Sequence, residues 1–205
     1  MLNESDYLRL PSALELIETD TKALGFNMGS ERTAGAMLRM LAASKPSAQL
    51  LELGTGTGIS TAWLLDGMDA NSRLTTIDND ATCVEIAQRH LGNDTRVEFH
   101  VVDGSAFLAS LSGRQFDLIF ADTWPGKFRD LDTALALLEL GGFYVIDDLL
   151  LQPNWPEGHG PKVEALIRDL SERQGLTVCP MLWSSGLLIA VKQADKPKLF
   201  TDKNY

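Results

Sequence analysis

Short apolar runs alternate along the chain with longer segments whose apolar residues recur at helical spacing, and this alternation predicts the secondary structure. Two helices come first, over residues 12–24 and 31–43, with Ser30 as the predicted N-cap of the second. The strands that follow are predicted over 49–53, 74–77, 97–102, 116–121, 142–146, 176–181 and 186–191. Between them, helices are predicted from residue 59 and over 81–91, 105–111, 128–140 and 162–172, with a Pro/Gly-rich loop over 151–161.

Five short apolar strands that alternate with helices are typical of a parallel sheet covered on both faces. The last two strands follow one another directly, which predicts a C-terminal antiparallel hairpin. The expected fold class is therefore α/β: a Rossmann-like, doubly wound, mostly parallel seven-stranded sheet with a C-terminal antiparallel strand. Residues 1–205 are expected to form a single domain, with N-terminal helices over 1–45, the sheet over 46–192 and a tail over 193–205.

Composition narrows the class of partner. The chain has 205 residues, 18 Lys+Arg and 28 Asp+Glu, and a formal net charge of −10. Because nucleic-acid binding needs patches of Lys and Arg, this balance argues against it and favours a small molecule. The chain shows neither a membrane-length apolar run nor a secretory signal, so we expect a cytoplasmic protein without membrane contact. Cys83 and Cys179 form no disulfide framework or metal-ligand spacing.

A glycine-rich loop follows the first predicted strand. It begins with Glu52 and continues as E-x-G-x-G-x-G through Gly54 and Gly56, followed by Ser60. Glycines at a strand-to-helix turn let a ligand approach the backbone closely. The dinucleotide fingerprint G-x-G-x-x-G is not met, because its third glycine position falls on Ile59.

Acidic residues end the next two strands. Asp78 follows the second strand, where a carboxylate can accept both hydroxyls of a ribose. Asp103-Gly104 follows the third strand. Each aspartate alone is equally compatible with a helix cap or a turn. Together with the glycine loop, they predict a nucleoside ligand at this edge of the sheet.

With these motifs, the chain resembles class I S-adenosylmethionine-dependent methyltransferases over about residues 27–191. It is most similar to the catechol and caffeoyl-CoA O-methyltransferases and their bacterial relatives. Residues 52–60, Asp78, Asp103-Gly104 and the segment 116–124 carry the resemblance.

The resemblance implies S-adenosylmethionine as cofactor. Gly54 and Ser60 would line its methionine end together with Met28 and Gly29, Asp78 would hold the ribose, and Asp103, Gly104 and Trp124 would border the adenine. The full predicted set of cofactor-binding residues is Met28, Gly29, Glu52, Gly54, Gly56, Ser60, Asp78, Asp103, Gly104, Asp122 and Trp124.

Three further aspartates follow the fourth and fifth strands, at the same edge of the sheet: Asp122, Asp147 and Asp148. They can converge as hard oxygen ligands for Mg²⁺ or another divalent cation, or they can simply cap loops in solvent. In the resembling family the corresponding residues are Asp, Asp and Asn, and they hold a divalent cation. The third residue is Asp148 here.

The catalytic base is less clearly marked. The resembling family uses a lysine three residues after the first metal aspartate, where this chain has Pro125, with Lys127 two residues further on. His159 is an alternative base, because an imidazole titrates near neutrality. Its place in the predicted loop favours, slightly, an exposed loop histidine over a base. Trp124 and Trp155 are candidates for an aromatic floor beneath a planar substrate.

The leading hypothesis is an S-adenosylmethionine-dependent methyltransferase that acts on a hydroxyl of a small molecule with the assistance of a divalent metal. Amino-group methyltransferases carry an Asn/Asp-Pro-Pro-aromatic motif after the fourth strand, whereas this chain has Asp-Thr-Trp-Pro at 122–125. One alternative, motivated by Pro125, is a cofactor-binding module without turnover. Another is a nicotinamide-dependent oxidoreductase, which the missing third glycine disfavours. Apolar faces of the N-terminal helices would either pair in a homodimer or cover the sheet.

Overall fold

The computed structural model describes residues 4–152 and 155–194. After a 3-10 turn at Glu4–Tyr7, the helices are α1 Leu14–Leu24, α2 Arg32–Ala43, α3 Ile59–Gly67, α4 Ala81–Leu91, α5 Gly104–Ser110, α6 Leu131–Ala136 and α7 His159–Glu172. The strands are β1 Gln49–Leu53, β2 Arg73–Asp78, β3 Val97–Val101, β4 Phe116–Ala121, β5 Leu138–Ile146, β6 Leu176–Met181 and β7 Leu187–Lys192. The predicted tail lies outside the described residues from residue 195 onward.

The strands form one seven-stranded sheet in the order β3-β2-β1-β4-β5-β7-β6. Strands β1 to β5 are parallel, and β7 lies antiparallel between β5 and β6. This arrangement confirms the predicted fold class. The strands β2 and β4 flank β1 on opposite sides, so the strand order reverses between β1 and β4. At such a switch point the loops after the two strands, here β1 and β4, diverge and leave a crevice.

Both faces of the sheet are buried, which explains the uninterrupted apolar strands. In β1, Leu50 packs into the core under α1, α2 and α3, whereas Leu51 and Leu53 pack into the core under α5, α6 and α7. Strand β4 repeats the alternation with Phe120 on the first face and Ile119 on the second. The N-terminal helices thus cover one face of the sheet.

The predicted helix over 128–140 is wrong at its C-terminal end. Helix α6 covers only Leu131–Ala136, and β5 begins already at Leu138, opposite Phe116 of β4. The register shifts after that pair, and Gly141 adopts a φ of 77°. The apolar residues at 134–138 are compatible with either structure, and pairing with β4 decides between them.

Two predicted helix starts are also wrong. Helix α7 begins at His159 rather than residue 162, because Pro161 is tolerated in a first turn, where its missing N–H has no helical partner. Helix α2 has Glu31 rather than Ser30 at its N-cap, without a side-chain capping bond. The Ser30 hydroxyl lies 3.5 Å from a carboxylate oxygen of Asp122 instead.

Across the described ranges, 4–152 and 155–194, we find no helix whose length and apolar character would let it cross a membrane.

Candidate active site

The loop after β1 owes its path to glycine. Gly54 has a φ of +108°, and a Cβ atom at this position would lie 3.1 Å from the backbone oxygen of Asp122. The amide groups of Gly54 and Thr55 both donate to the carbonyl of Ile77, at 2.9 and 3.0 Å. The loop is therefore held against the end of β2 and leaves the crevice beside β4 open to a ligand.

A pocket lies between this loop and the segment before α2. It has an empty volume of about 220 Å³, part of it open to solvent. The residues that line it are Phe26, Met28, Gly29, Ser30, Gly54, Thr55, Gly56, Thr57, Ile59, Ser60 and Asp122. Six of them were predicted as cofactor residues. Sequence reasoning missed the other five, although proximity to Met28 and to the glycines was an available signal: Phe26, Ser30, Thr55, Thr57 and Ile59.

Glu52 lies beneath the loop rather than in the pocket wall. It is fully buried, and its Oε2 atom accepts hydrogen bonds from Thr61 at 2.5 Å and Thr76 at 2.6 Å. Because Thr76 gives its hydroxyl proton to Glu52, the Thr55 hydroxyl donates to Thr76, at 2.6 Å. The Oε1 atom has no hydrogen-bond partner among the described residues. Burial raises the pKa of Glu52 to about 7.

Asp78 lies at the end of β2, facing the glycine loop. One of its carboxylate oxygens accepts from the Gly56 amide at 2.8 Å, and the other accepts from the Asp80 amide at 3.0 Å. A carboxylate offers about four acceptor positions. Asp78 therefore orders the loop and retains capacity for the hydroxyls of a bound ligand.

Asp103 and Gly104 lie at the start of α5, outside the pocket lining. Asp103 accepts from the Ala106 amide at 2.9 Å and caps the helix, which is the alternative that its sequence context left open. Gly104 is buried, and a Cβ atom there would lie 3.0 Å from the ring of Pro125. Pro125 thus fills the space beside this turn.

The three predicted metal ligands lie at the same edge, and carboxylate oxygens of Asp147 and Asp148 have partners within the protein. Asp147 is buried and its Oδ1 atom accepts from the Ser185 hydroxyl and from the Asp148 amide, the latter at 2.7 Å. Both carboxylate oxygens of Asp148 contact the indole N–H of Trp155, at 3.1 and 3.0 Å. Ser185 and Trp155 carried no sequence signal for these contacts.

This arrangement does not fit a divalent cation. Within 4–152 and 155–194, no three acidic, histidine or cysteine side chains lie close enough together to hold a metal ion. Burial and then the charge of Asp147 raise the pKa of Asp122 well above its usual range, and burial likewise raises the pKa of Asp147. The charge of Lys127 opposes both shifts.

Lys127 is buried, with 4% of its surface exposed. Its ammonium group donates to the backbone oxygen of Asp147 at 2.6 Å and lies 3.4 Å from that of Asp148. It also lies 5.4 Å from the centre of the Phe128 ring. The Lys127 side chain therefore joins the turn after β4 to the end of β5.

The expectation that His159 is an exposed loop residue is wrong. His159 is the first residue of α7, and only 6% of its surface is exposed. Its ring centre lies 4.6 Å from Trp155, 5.0 Å from Phe128 and 6.0 Å from Trp124. Neither ring nitrogen has a hydrogen-bond partner in the part of the chain that the structure describes. Burial, followed by the charge of Lys127, lowers the pKa of His159.

Trp124 lies beside this group and is not among the residues that line the pocket. It follows Asp122 by two residues, is half-exposed, and contacts the rings of Phe128 and His159. The ammonium of Lys162 lies 4.6 Å from the centre of its ring. The two tryptophans predicted as an aromatic floor, Trp124 and Trp155, thus both contact His159.

Comparison with known proteins shows what this chain is similar to. A family model described as a methyltransferase domain matches residues 51–149. A Mycobacterium ulcerans protein named "Putative O-methyltransferase" is 28% identical over 182 residues, covering 83% of this chain and 81% of the relative. A Mycobacterium leprae protein with the same description is 27% identical over 169 residues, covering 78% of this chain and 75% of the relative.

Solved structures share the fold. The O-methyltransferase TomG from Streptomyces achromogenes, in complex with SAM, has a TM-score of 0.79 and 23% identity, covering 91% of this chain and 92% of that one. An O-methyltransferase from Bacillus cereus in complex with SAH has a TM-score of 0.79 and 20% identity, covering 91% and 93%. These matches, together with the glycine loop, confirm the predicted resemblance.

Proposed function

We propose that this chain, a class I S-adenosylmethionine-dependent O-methyltransferase, methylates a hydroxyl group of a small molecule and that His159 accepts the hydroxyl proton. One observation carries the assignment of the base. A buried imidazole, whose two nitrogens have no hydrogen-bond partner among residues 4–152 and 155–194, lies at the edge of the sheet that also holds the cofactor pocket.

The residues of the pocket fit S-adenosylmethionine. Gly29 and Gly54 leave the pocket wall without side chains, and a Cβ atom at Gly29 would lie 2.7 Å from Ile59. Asp78 keeps acceptor capacity for the two ribose hydroxyls. The Oε1 atom of Glu52, which lies beneath the loop and has no partner in the described part of the chain, leaves a further acceptor on this side of the sheet.

Methyl transfer is an in-line displacement, and the protein must align the hydroxyl and receive its proton. When bound, S-adenosylmethionine supplies a methyl carbon on a positively charged sulfur, which keeps the electron pair of the broken bond as the hydroxyl oxygen bonds to carbon. The hydroxyl proton passes to a ring nitrogen of His159, which becomes an imidazolium.

His159 suits this role better than Lys127. Its pKa is lowered by burial and by the charge of Lys127, so the imidazole is neutral and able to accept a proton at neutral pH. Lys127 instead donates its protons to backbone oxygens of β5 and the residue after it. The rings of Trp124, Phe128 and Trp155 exclude water from the imidazole and favour a planar acceptor.

No step of this proposal uses a metal ion, because the donor set at Asp122, Asp147 and Asp148 does not fit one. The net charge of −10 supports a neutral or cationic acceptor over a polyanion. The half-exposed Trp124 and the neighbouring His159 support an aromatic alcohol as the acceptor class.

The proposal is tested in two steps. Calorimetric titration with S-adenosylhomocysteine should show binding in the micromolar range. The protein is then incubated with S-adenosylmethionine and a panel of phenols, catechols and hydroxylated acyl thioesters, and the products are detected by mass spectrometry. A methylated product that the His159→Gln variant no longer forms, at unchanged S-adenosylhomocysteine affinity, is the expected result.

Each alternative predicts a different outcome. Tight S-adenosylhomocysteine binding without turnover on the panel would support a cofactor-binding module. Micromolar binding of NADH, with no binding of S-adenosylhomocysteine, would support the oxidoreductase and overturn the proposal.

A further inference from the structure

The acidic residues after β4 and β5 need a compensating charge. Asp122, Asp147 and Asp148 occupy one edge of the sheet, and carboxylates close together in a poorly solvated place repel one another unless a cation lies between them. In the resembling O-methyltransferases a divalent metal fills this role. Here the structure places the buried ammonium of Lys127 against the backbone of two of the three aspartates.

The turn that carries Lys127 is held rigidly in this position. The Gly126 amide donates to the Arg129 carbonyl at 2.7 Å, and the Lys127 amide donates to the Trp124 carbonyl at 3.2 Å. Gly126 has a φ of +83°, and its carbonyl accepts a hydrogen bond from the buried Tyr144 hydroxyl. The turn therefore directs the Lys127 side chain inward, towards the end of β5.

Several of the oxygens that could ligate a metal already have partners in the protein. Magnesium requires six oxygen ligands at near-octahedral angles, some of them water. The backbone oxygens of Asp147 and Asp148 face Lys127, Ser185 and the Asp148 amide use one carboxylate oxygen of Asp147, and Trp155 contacts both carboxylate oxygens of Asp148.

We propose that the ammonium of Lys127 takes the place of the divalent cation, so that this chain binds and positions its acceptor without a metal ion. The inference rests on the proposed function. Lys127 acts here as a positioning residue: it balances the carboxylates, joins β5 to the turn after β4, and leaves proton transfer to His159.

The test is cation binding by the intact protein saturated with S-adenosylhomocysteine. Calorimetric titration with MnCl₂ or MgCl₂ should show no specific site in the wild-type protein. Lys127→Met removes the charge and frees two backbone oxygens, so we expect its Mn²⁺ affinity to rise by at least about tenfold, which corresponds to roughly 1.4 kcal/mol. Lys127→Gln, which retains a donor for the Asp147 carbonyl, serves the same purpose if the methionine variant does not fold.

Lys192 provides a matched control. Its ammonium also donates to two backbone oxygens, those of Leu135 at 3.1 Å and Leu138 at 2.6 Å, but at the opposite edge of the sheet. Lys192→Met should therefore gain no Mn²⁺ site. Lys127→Arg, which keeps the charge, should gain none either.

Two results would overturn the inference. One is Mn²⁺ binding by the wild-type protein that Asp147→Asn abolishes. The other is a folded Lys127→Met variant that gains no Mn²⁺ affinity. Failure of the proposed function is separate, since it would appear as absent S-adenosylhomocysteine binding before any cation is added.

Discussion

The two halves of the site are built in different ways. The cofactor half comprises residues 26–30, the glycine loop and the end of β2, and three of the residues that line its pocket have no side chain: Gly29, Gly54 and Gly56. The acceptor half comprises the turn after β4, the end of β5 and the start of α7, and it is formed by side chains. There, the Lys127 ammonium donates to the backbone oxygen of Asp147, which lies 20 positions later in the sequence.

The difference follows from what each half has to recognise. A glycine-rich loop lets one invariant cofactor approach the backbone closely, so its binding depends on few side-chain identities. An acceptor and its departing proton require a base, a counter-charge and an apolar wall, which only side chains supply. We therefore expect substitutions in the acceptor half to change turnover, and substitutions in the cofactor half to change S-adenosylhomocysteine affinity.

The largest expected effect is that of His159→Gln. Loss of the proton acceptor should lower the methyl-transfer rate about 10²- to 10⁴-fold and leave S-adenosylhomocysteine affinity unchanged. Because the pKa of His159 is lowered, wild-type activity should persist below the usual imidazole range and decline only at more acidic pH, as the ring becomes protonated. Rates measured across pH, once an acceptor is known, check both points.

His100→Gln is the matched control, since His100 also packs against an aromatic ring, with its centre 4.8 Å from Phe107, but lies on the edge strand β3. An unchanged rate in His159→Gln, or an equal loss in His100→Gln, would contradict the assignment of the base.

The second effect concerns Glu52, the buried side chain beneath the cofactor half. The folded state keeps the Glu52 proton up to about pH 7, whereas the ordinary value for the unfolded chain is 4.5. The stability that this proton provides is therefore present at acidic pH and is lost as pH rises through this window. As the pH rises from 4.5 to about 7, the free energy of unfolding of the wild-type protein should therefore fall, relative to that of Glu52→Gln, by up to about 3 kcal/mol.

Urea denaturation at several pH values measures this difference. The substitution Glu164→Gln, at an exposed position of α7, should leave the pH dependence of the wild-type protein unaltered. A constant difference between the wild-type protein and Glu52→Gln across the window would refute the role of burial.

Gly54→Ala should affect the cofactor half alone. A Cβ atom costs about 1–2 kcal/mol at a positive φ. It would also lie 3.1 Å from the backbone of Asp122. We expect S-adenosylhomocysteine affinity to fall about tenfold, by calorimetry.

Gly113→Ala separates the cost of a positive φ from the effect of the close approach to Asp122. Gly113 has a φ of +84°, and nothing lies within 4 Å of a Cβ atom there. This variant should lose stability and keep its affinity for S-adenosylhomocysteine. Equal affinity losses in both variants would mean that the close approach at Gly54 is irrelevant.

The smallest expected effect lies at Trp155. Trp155→Phe removes the indole N–H that Asp148 accepts from, which should lower the free energy of unfolding by about 1 kcal/mol without changing S-adenosylhomocysteine affinity. Combining it with Asp148→Asn should cost less than the sum of the two single changes, as measured by urea denaturation. Additive losses would show that the contact contributes nothing.

Sequence reasoning succeeded where the signal was local. The glycine loop directly follows the apolar strand β1, and Asp78 directly follows the apolar residues of β2. It failed at Leu138, because residues 134–138 are apolar enough for either a helix or a strand, and only pairing with Phe116 selects the strand. It also failed at Ser185 and Trp155, whose contacts with Asp147 and Asp148 arise between separate elements.

By itself, the sequence determined the α/β class, the order of the elements and the place of the glycine loop after β1, since strand periodicity and glycine positions act over a few residues. Only the tertiary structure decided the acceptor half. Whether the Lys127 ammonium lies against the backbone oxygens of Asp147 and Asp148, and whether His159 is exposed or enclosed by three rings, depends on which side chains β4, β5 and α7 bring together. Contacts between residues far apart in the sequence decide these positions, and patterns over a few neighbouring residues do not predict such contacts.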